Sequence, residues 1–134
     1  MAVTKIYNGR TTSFDKIAYT WDGLHLYKGA YTSQDKIILT LKDGKIYEGR
    51  YTSWDRIIAT FDSTRIWSDR QGADQNVLVT LDGERQYSGR YKSDDKILKV
   101  FDRRRVYNGR YKSEDKILFT VDGDFPAQLV NWLR

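Results

Sequence analysis

Residues 44–63 read GKIYEGRYTSWDRIIATFDS, and this stretch decides the architecture because the chain repeats it. Its aromatic residue recurs every twenty positions, at Tyr7, Tyr27, Tyr47, Trp67, Tyr87 and Tyr107, with no insertion or deletion between copies. Residues 4–123 are therefore six copies of one unit, with the consensus I-Y-x-G-R-Y-x-S-x-D-K-I-L-x-T. A fixed period places each copy in an equivalent position of the fold, so the recurring residues are first of all architectural.

The second half of each unit (17–21, 37–41, 57–61, 77–81, 97–101 and 117–121) is β-branched or aromatic and too short for an amphipathic helix, which predicts strands. Asp22-Gly23, Asp43-Gly44, Asp82-Gly83 and Asp122-Gly123 follow, with Asp62-Ser63 and Asp102-Arg103 as degenerate versions. Asp-Gly tolerates the two positive φ angles of a type I′ turn, so each pair predicts a two-residue hairpin. After the aromatic in five of the six units, a Gly (9, 29, 49, 89 or 109), then Ser or Thr, then Asp mark a second, longer turn. The chain reads as an antiparallel meander of about twelve short strands.

Positions 17 and 18 of the unit and their equivalents are apolar in all six copies, although neighbouring strand side chains face opposite ways. Both faces must be covered. A closed, pseudo-symmetric ring of six β-hairpins meets that demand and leaves no free edge strand. An open β-solenoid and a β-trefoil are the alternatives. The first favours stacked parallel coils, and the second alternates two hairpin roles that a uniform period does not suggest.

IYNGR at residues 6–10, SFDKIAYTWDG at 13–23 and GRYTSWDRIIATFDS at 49–63 together resemble the hairpin repeats of the bacterial β-flower proteins, whose hairpins radiate as petals about a pseudo-symmetry axis. The resemblance covers residues 4–123. It implies a fold and no particular activity. Six copies, where the named types have four or five, and an irregular fourth unit are the departures.

The chain of 134 residues, 40% hydrophobic, is expected to be a single domain over 1–134, with a helical tail at 124–134. In that tail Asp124 and Pro126 suit a helix start, and a Leu129, Trp132 and Leu133 face would have to dock, most simply as a lid over one end of the ring. The absence of cysteine removes disulfides and thiolate metal sites. Neither an apolar leader nor a membrane span is evident, so a cytoplasmic setting without membrane contact is expected. Basic residues number 23 and acidic residues 18, interleaved, for a net charge of +5. Only Arg103, Arg104 and Arg105 form a cationic cluster, a candidate polyanion contact.

Ser13, Ser33, Ser93 and Ser113 each precede a lysine by three residues, the spacing of certain acyl-transferring hydrolases, but at a turn rather than on a helix. Turn hydrogen bonding is the expected role. The recurring arginines (10, 50, 70, 90, 110) are expected to lie over neighbouring tyrosine faces, and the recurring aspartates (15, 35, 55, 95, 115) to satisfy turn amides. Tyrosines 7, 27, 47, 87 and 107 read as core. Tyrosines 31, 51, 91 and 111 lie in the longer turn beside polar groups, a mixture suited to packing between petals or to a ligand. His25, the sole histidine, reads as a surface residue.

Six nearly equal surfaces without an asymmetric acid–base constellation argue against catalysis, a metal site or a cofactor. The expected function is a non-catalytic binding or interaction module, with the rim Arg50, Tyr51, Trp54, Arg90, Tyr91, Arg110 and Tyr111 as its surface. Polyanion or nucleic-acid binding and a lectin-like glycan-binding role are the alternatives, so the partner is a protein, a glycan or a polyanion. The fourth unit is a candidate special site through Trp67, Asp69, Arg70, Asp74, Gln75 and Asn76. Sequence does not decide the oligomeric state or whether the ring closes.

Overall fold

The computed structural model describes residues 3–133. Twelve strands follow in chain order: β1 (Thr4–Asn8), β2 (Ile17–Trp21), β3 (His25–Lys28), β4 (Ile37–Lys42), β5 (Lys45–Glu48), β6 (Ile57–Phe61), β7 (Arg65–Trp67), β8 (Val77–Asp82), β9 (Arg85–Ser88), β10 (Ile97–Phe101), β11 (Arg105–Asn108) and β12 (Ile117–Asp122). Each pairs antiparallel with its sequence neighbours, and β1 pairs with β12 through Lys5–Asp122, Ile6–Val121, Tyr7–Thr120 and Asn8–Phe119. The ring is therefore a closed barrel, without stacked parallel rungs or a trefoil's two kinds of hairpin.

The consecutive apolar residues have a local cause. In the β1–β2 pair Ile6 faces Tyr19 and Tyr7 faces Ile17, which leaves Ala18 as an extra, bulged residue. The same register shift recurs in the β3–β4, β5–β6, β7–β8, β9–β10 and β11–β12 pairs. A bulge lets Ala18 turn toward the axis beside Tyr19 while Ile17 stays on the outer wall with Tyr7.

The inner face carries Ile6, Leu26, Ile46, Ile66, Gln86 and Val106 at one level, all essentially inaccessible, with Trp21, Leu81, Phe101 and Val121 near the tight turns. The outer face carries the tyrosines 7, 27, 47, 87 and 107, which are buried as expected but not in the axial core. What covers them is the longer loop of each unit, folded back over the wall. The Thr20 hydroxyl donates to the Gly29 carbonyl at 2.8 Å, and Thr40, Thr80 and Thr120 repeat the bond to Gly49, Gly89 and Gly9 at 2.7 Å.

Twelve strands enclose a lumen wider than an eight-stranded barrel, which side chains alone can fill. The tail fills it here. Phe125 packs edge-on to Trp21 and Phe101, the backbone forms a 3-10 helix over Ala127–Trp132, and Trp132 ends beside Ala18, Tyr19 and Ile38. Two expectations change. The helix is 3-10 with Pro126 at its cap, since the Asp124 carbonyl is taken by the Thr4 hydroxyl, and the buried face is Leu129, Val130 and Leu133, with Trp132 only partly covered. Because Leu129 and Val130 are wholly enclosed within the ring's own core, the tail is a plug along the axis rather than a lid.

Polar contacts fix the plug in one petal. Gln86, alone among five aliphatic equivalents, donates to the Ala127 carbonyl at 3.0 Å and accepts from the Asn131 amide, while Lys99 reaches the Asn131 carbonyl oxygen at 3.1 Å. Partial burial holds the Lys99 ammonium below its usual pKa.

The tight turns also differ from expectation. Only Asp43 and Gly44, at φ 53° and 76°, both occupy the left-handed region that a type I′ turn needs. At three others the Asp stands one residue earlier and uses its side chain: Asp22 accepts the Leu24 and His25 amides, Asp62 those of Thr64 and Arg65, and Asp102 those of Arg104 and Arg105. Asp82 also stands one residue earlier, opposite Arg85, but its carboxylate pairs with Lys92 at 3.6 Å. Arg103 consequently takes the position that Gly23 and Gly83 fill, at φ 80°, an unfavourable geometry for a residue with a Cβ.

Leu129→Ala leaves a cavity on the axis with no side chain able to collapse into it. It is expected to lower the free energy of unfolding by about 2–5 kcal/mol, read from urea denaturation; a loss below about 1 kcal/mol would mean that the tail does not plug the ring.

Candidate functional site

The longer loops form the outer fringe. Five of the six descend from a strand through a positive-φ Gly, petal four having Asp69 there, and all enter the next strand through a single 3-10 turn, as in Phe14–Lys16, where the Lys16 amide bonds the Ser13 carbonyl at 2.9 Å. Ser13, Ser33, Ser53, Ser93 and Ser113 make no side-chain cap bond, so the serine contributes its carbonyl to the turn and not its hydroxyl. Asp15, Asp35, Asp55, Asp95 and Asp115 are exposed and, among the described residues, accept none of the turn amides, which corrects the role expected of them. The amide that closes each turn is already bonded to a backbone carbonyl, so the turn does not depend on the carboxylate.

The arginines follow a rule that crosses petals. Arg10 pairs with Glu114 at 3.2 Å, Arg50 bonds the Gln34 amide oxygen at 3.1 Å, and Arg70 lies over the Trp54 ring at 5.5 Å. In each case the partner is the residue just before the recurring Asp in the preceding petal. Where the arginine is missing, at Ala30, that preceding residue is Phe14, and Tyr31 packs against it edge-on at 6.3 Å. Arg50, Arg90 and Arg110 also stack on their own neighbours Tyr51, Tyr91 and Tyr111, at 5.0, 5.2 and 5.0 Å.

These contacts edge a series of clefts between petals. One of about 380 Å³ lies between Gln34–Ile37 and Glu48–Tyr51, a second of about 400 Å³ between Trp54–Ile57 and Ser68–Gln71, and a third of about 450 Å³ between Asp74–Val77 and Ser88–Tyr91. Tyr51, Tyr91 and Tyr111 stay 58–65% exposed, whereas Tyr47, on the wall beneath, is only 8% exposed. The rim residues are thus distributed over separate clefts. Trp54 is joined to Arg70 of the divergent petal, while Asp74 and Gln75 belong to the next cleft, with Arg90 and Tyr91.

Petal four is rebuilt around Asp69. Its carboxylate accepts the amides of Gln71, Gly72 and Ala73 at 3.2, 2.6 and 3.1 Å and the Asn76 side-chain amide at 2.9 Å. Asp69 stands where the other petals have a positive-φ Gly, and here the loop takes its left-handed residue at Gly72 instead; the buried Thr60 hydroxyl and the neighbouring Trp67 indole N–H have no partner among the described residues.

Arg103, Arg104 and Arg105 occupy the tight β10–β11 turn, the first two exposed. They belong to a larger pattern that the repeat alignment contains and that sequence reasoning passed over. The residue before the inner aliphatic position is basic in every unit: Lys5, His25, Lys45, Arg65, Arg85 and Arg105. All lie on the outer wall, so His25 occupies the same place in its petal as a Lys or Arg does in the other five. Its ring contacts the Thr40 hydroxyl at 2.8 Å, and Lys5 reaches the Ala30 carbonyl at 2.7 Å. Beside His25, burial and the hydrogen bond to Asp22 push the Tyr27 phenol up to about 12. Burial works against ionisation of Asp22, but the His25 and Leu24 amides and the Tyr27 hydroxyl outweigh it and hold that carboxyl below its ordinary value.

Six antiparallel hairpins closed about a filled axis, with loops folded outward as petals, define a pseudo-six-fold β-repeat ring. The chain belongs to the 6-fold beta flower protein family, whose model matches residues 6–130. Six copies, a departure from the four- and five-petal types, are thus this family's own number. No curated protein and no solved structure matches the chain. No helix among the described residues is long and apolar enough to cross a membrane.

The Asn76 amide, with the three loop amides, holds the Asp69 carboxyl down to about 2 from its ordinary 3.8, desolvation opposing only in part. A folded-state pKa below the unfolded one means that the stabilising contribution of this loop is fully present above pH 3.8 and is lost as pH falls toward 2. An NMR titration of the Asp69 carboxyl is expected to give a midpoint near 2; a midpoint at 3.8 would show that the loop network does not form in solution.

Proposed function

We propose that this protein is a non-catalytic recognition module that meets its partner with the aromatic and guanidinium groups of its petal loops. The observation carrying this reading is the exposure of Tyr51, Tyr91 and Tyr111 while each is flanked by a stacked arginine. A tyrosine serving only to pack would be enclosed like Tyr47; one stacked on its neighbouring arginine presents a flat, ordered surface at small entropic cost. A cytoplasmic setting is part of the proposal, and the cysteine-free composition is compatible with it. The test is capture from the native host on immobilised wild-type protein and on the Tyr51→Ala/Tyr91→Ala/Tyr111→Ala variant. Since these are exposed positions, the fold is expected to survive and retention to fall about tenfold or more. A variant that retains every partner at full affinity removes the reading.

A second reading, binding of a polyanion, is favoured by the six-membered basic belt together with Arg103 and Arg104. It predicts retention on heparin that falls linearly with log salt, and a shallower slope once Arg103 and Arg104 are changed to Ser. Absence of retention at low salt eliminates it.

A further inference from the structure

We propose that the cleft between petals three and four is a binding site for a carboxylate carried on a hydroxylated ring, that is, an acidic sugar. The proposal rests on the reading of the petal loops as a recognition surface and specifies one ligand class for one cleft. Three observations converge on it.

The first is an arginine without a charge partner. Arg10 is ion-paired with Glu114 and Arg50 is hydrogen-bonded to Gln34 and to the Tyr51 hydroxyl; among the described residues Arg90 and Arg110 stack only on their own neighbouring tyrosines, whereas Arg70 makes a single stacking contact across petals, with Trp54. Stacking holds the guanidinium plane while leaving its donors unspent, which suits a fork to a carboxylate.

The second is the fate of Asp69, the other charged group lining the cleft. All its acceptor capacity goes to three backbone amides and Asn76, so it forms no ion pair with Arg70 and has no lone pair left for a ligand hydroxyl, while its charge stays beside the cleft. A neutral sugar would therefore lack its usual carboxylate acceptor, and the remaining negative charge disfavours a phosphate, which carries about −1.5 to −2 charges, more than it disfavours a monoanion.

The third is the lining. Trp54 is 58% exposed, Ile57 supplies an apolar floor, and Ser68 and Gln71 stand ready for hydroxyl groups. The volume of about 400 Å³ lies within the small-molecule range of about 300–1,000 Å³. The far side of the cleft is firm, because Asp69 locks the loop and Gly72 sits on the Trp67 ring, where an added Cβ would come within 3.6 Å of the indole. The equivalent cleft between petals two and three differs in both respects: its arginine is already bonded and Glu48 lines it.

The test is titration of ¹⁵N-labelled protein with glucuronate, glucose and inorganic phosphate, read at the Trp54 indole N–H resonance, which Trp54→Phe assigns by its disappearance. A saturable shift is expected with glucuronate at a Kd of about 1 mM, the scale of a single charged fork plus one ring, and about tenfold weaker for glucose and for phosphate. Arg70→Gln is expected to weaken glucuronate about tenfold with the remaining spectrum unchanged, whereas Tyr51→Ala/Tyr91→Ala/Tyr111→Ala leaves its Kd within about twofold. No saturable shift, an equal response to glucose, an equal response to phosphate as at an adventitious ion site, or an Arg70→Gln variant that binds as before each overturns the proposal. The tyrosine variant separates the two ideas. Lost partner capture with no glucuronate binding sinks this cleft alone, while glucuronate binding with undiminished capture sinks the wider loop reading.

Discussion

Closure of twelve strands creates the constraint on which everything else rests, namely a lumen that one ring of side chains cannot fill. An empty axis would leave the inner faces of Ile6, Leu26, Ile46, Ile66 and Val106 without contact partners, and dispersion and hydrophobic burial would both be forfeited there. The tail answers with Leu129, Val130 and Leu133. A straight plug entering a pseudo-six-fold cavity could sit in six rotational settings of similar energy, and the single polar interruption at Gln86 and Lys99 chooses one of them. Burying these groups is tolerable because Asn131 and the Ala127 carbonyl satisfy them. The ring is symmetric in its wall and asymmetric in its axis.

The outer wall has the complementary problem, and the loops solve it. Folding the loops back buries the tyrosine rings and pairs the hydroxyls of Thr20, Thr40, Thr80 and Thr120 with glycine carbonyls, so over most of the ring the wall is satisfied before any residue beyond the Gly is specified. The Arg and aromatic positions are released from that duty. They make contacts among themselves that vary from petal to petal: an ion pair at Arg10, a hydrogen bond at Arg50, a stacked indole at Arg70 and a pair of aromatic rings where Ala30 leaves no arginine. Variation with the geometry preserved is what a surface open to specialisation looks like in physical terms.

Much of this was legible in the sequence for a simple reason: a period of twenty without a gap constrains every copy at once. Strands and meander followed from it, and a ring of six hairpins was the reading it favoured, with closure left to the β1–β12 pairing. The bulge at positions 17 and 18 was visible only as paired apolar residues, because alternation alone does not distinguish two covered faces from one extra residue. The turns were misread by one position, since an Asp preceding a Gly can lend its side chain to two amides instead of entering the turn itself. The tail's role lay out of reach of local reasoning: Gln86 and Asn131 are 45 residues apart and Lys99 and Asn131 are 32, and neither residue announces a partner. The basic belt was in plain view at a fixed position, but a search for clusters along the chain does not register residues spaced one per petal.

Petal four shows how such a scaffold absorbs a change. Its departures are confined to the outer wall; Ile66 still fills its place on the axis and β7 still pairs with both neighbours. In this petal Thr60 and Trp67 each keep a buried polar atom unpartnered among the described residues, at a cost of about 1–3 kcal/mol apiece. A loop that had merely decayed would add flexibility to that cost. This one instead ends in a network of four hydrogen bonds centred on a single carboxylate, with Gly72 laid against the indole of Trp67. The result is a petal less stable in its wall and more rigid in its loop, with the guanidinium of Arg70 held over Trp54 and left uncompensated. That combination follows from packing and hydrogen bonding without any appeal to ligand, and it is what distinguishes the cleft between petals three and four from its neighbours on the fringe.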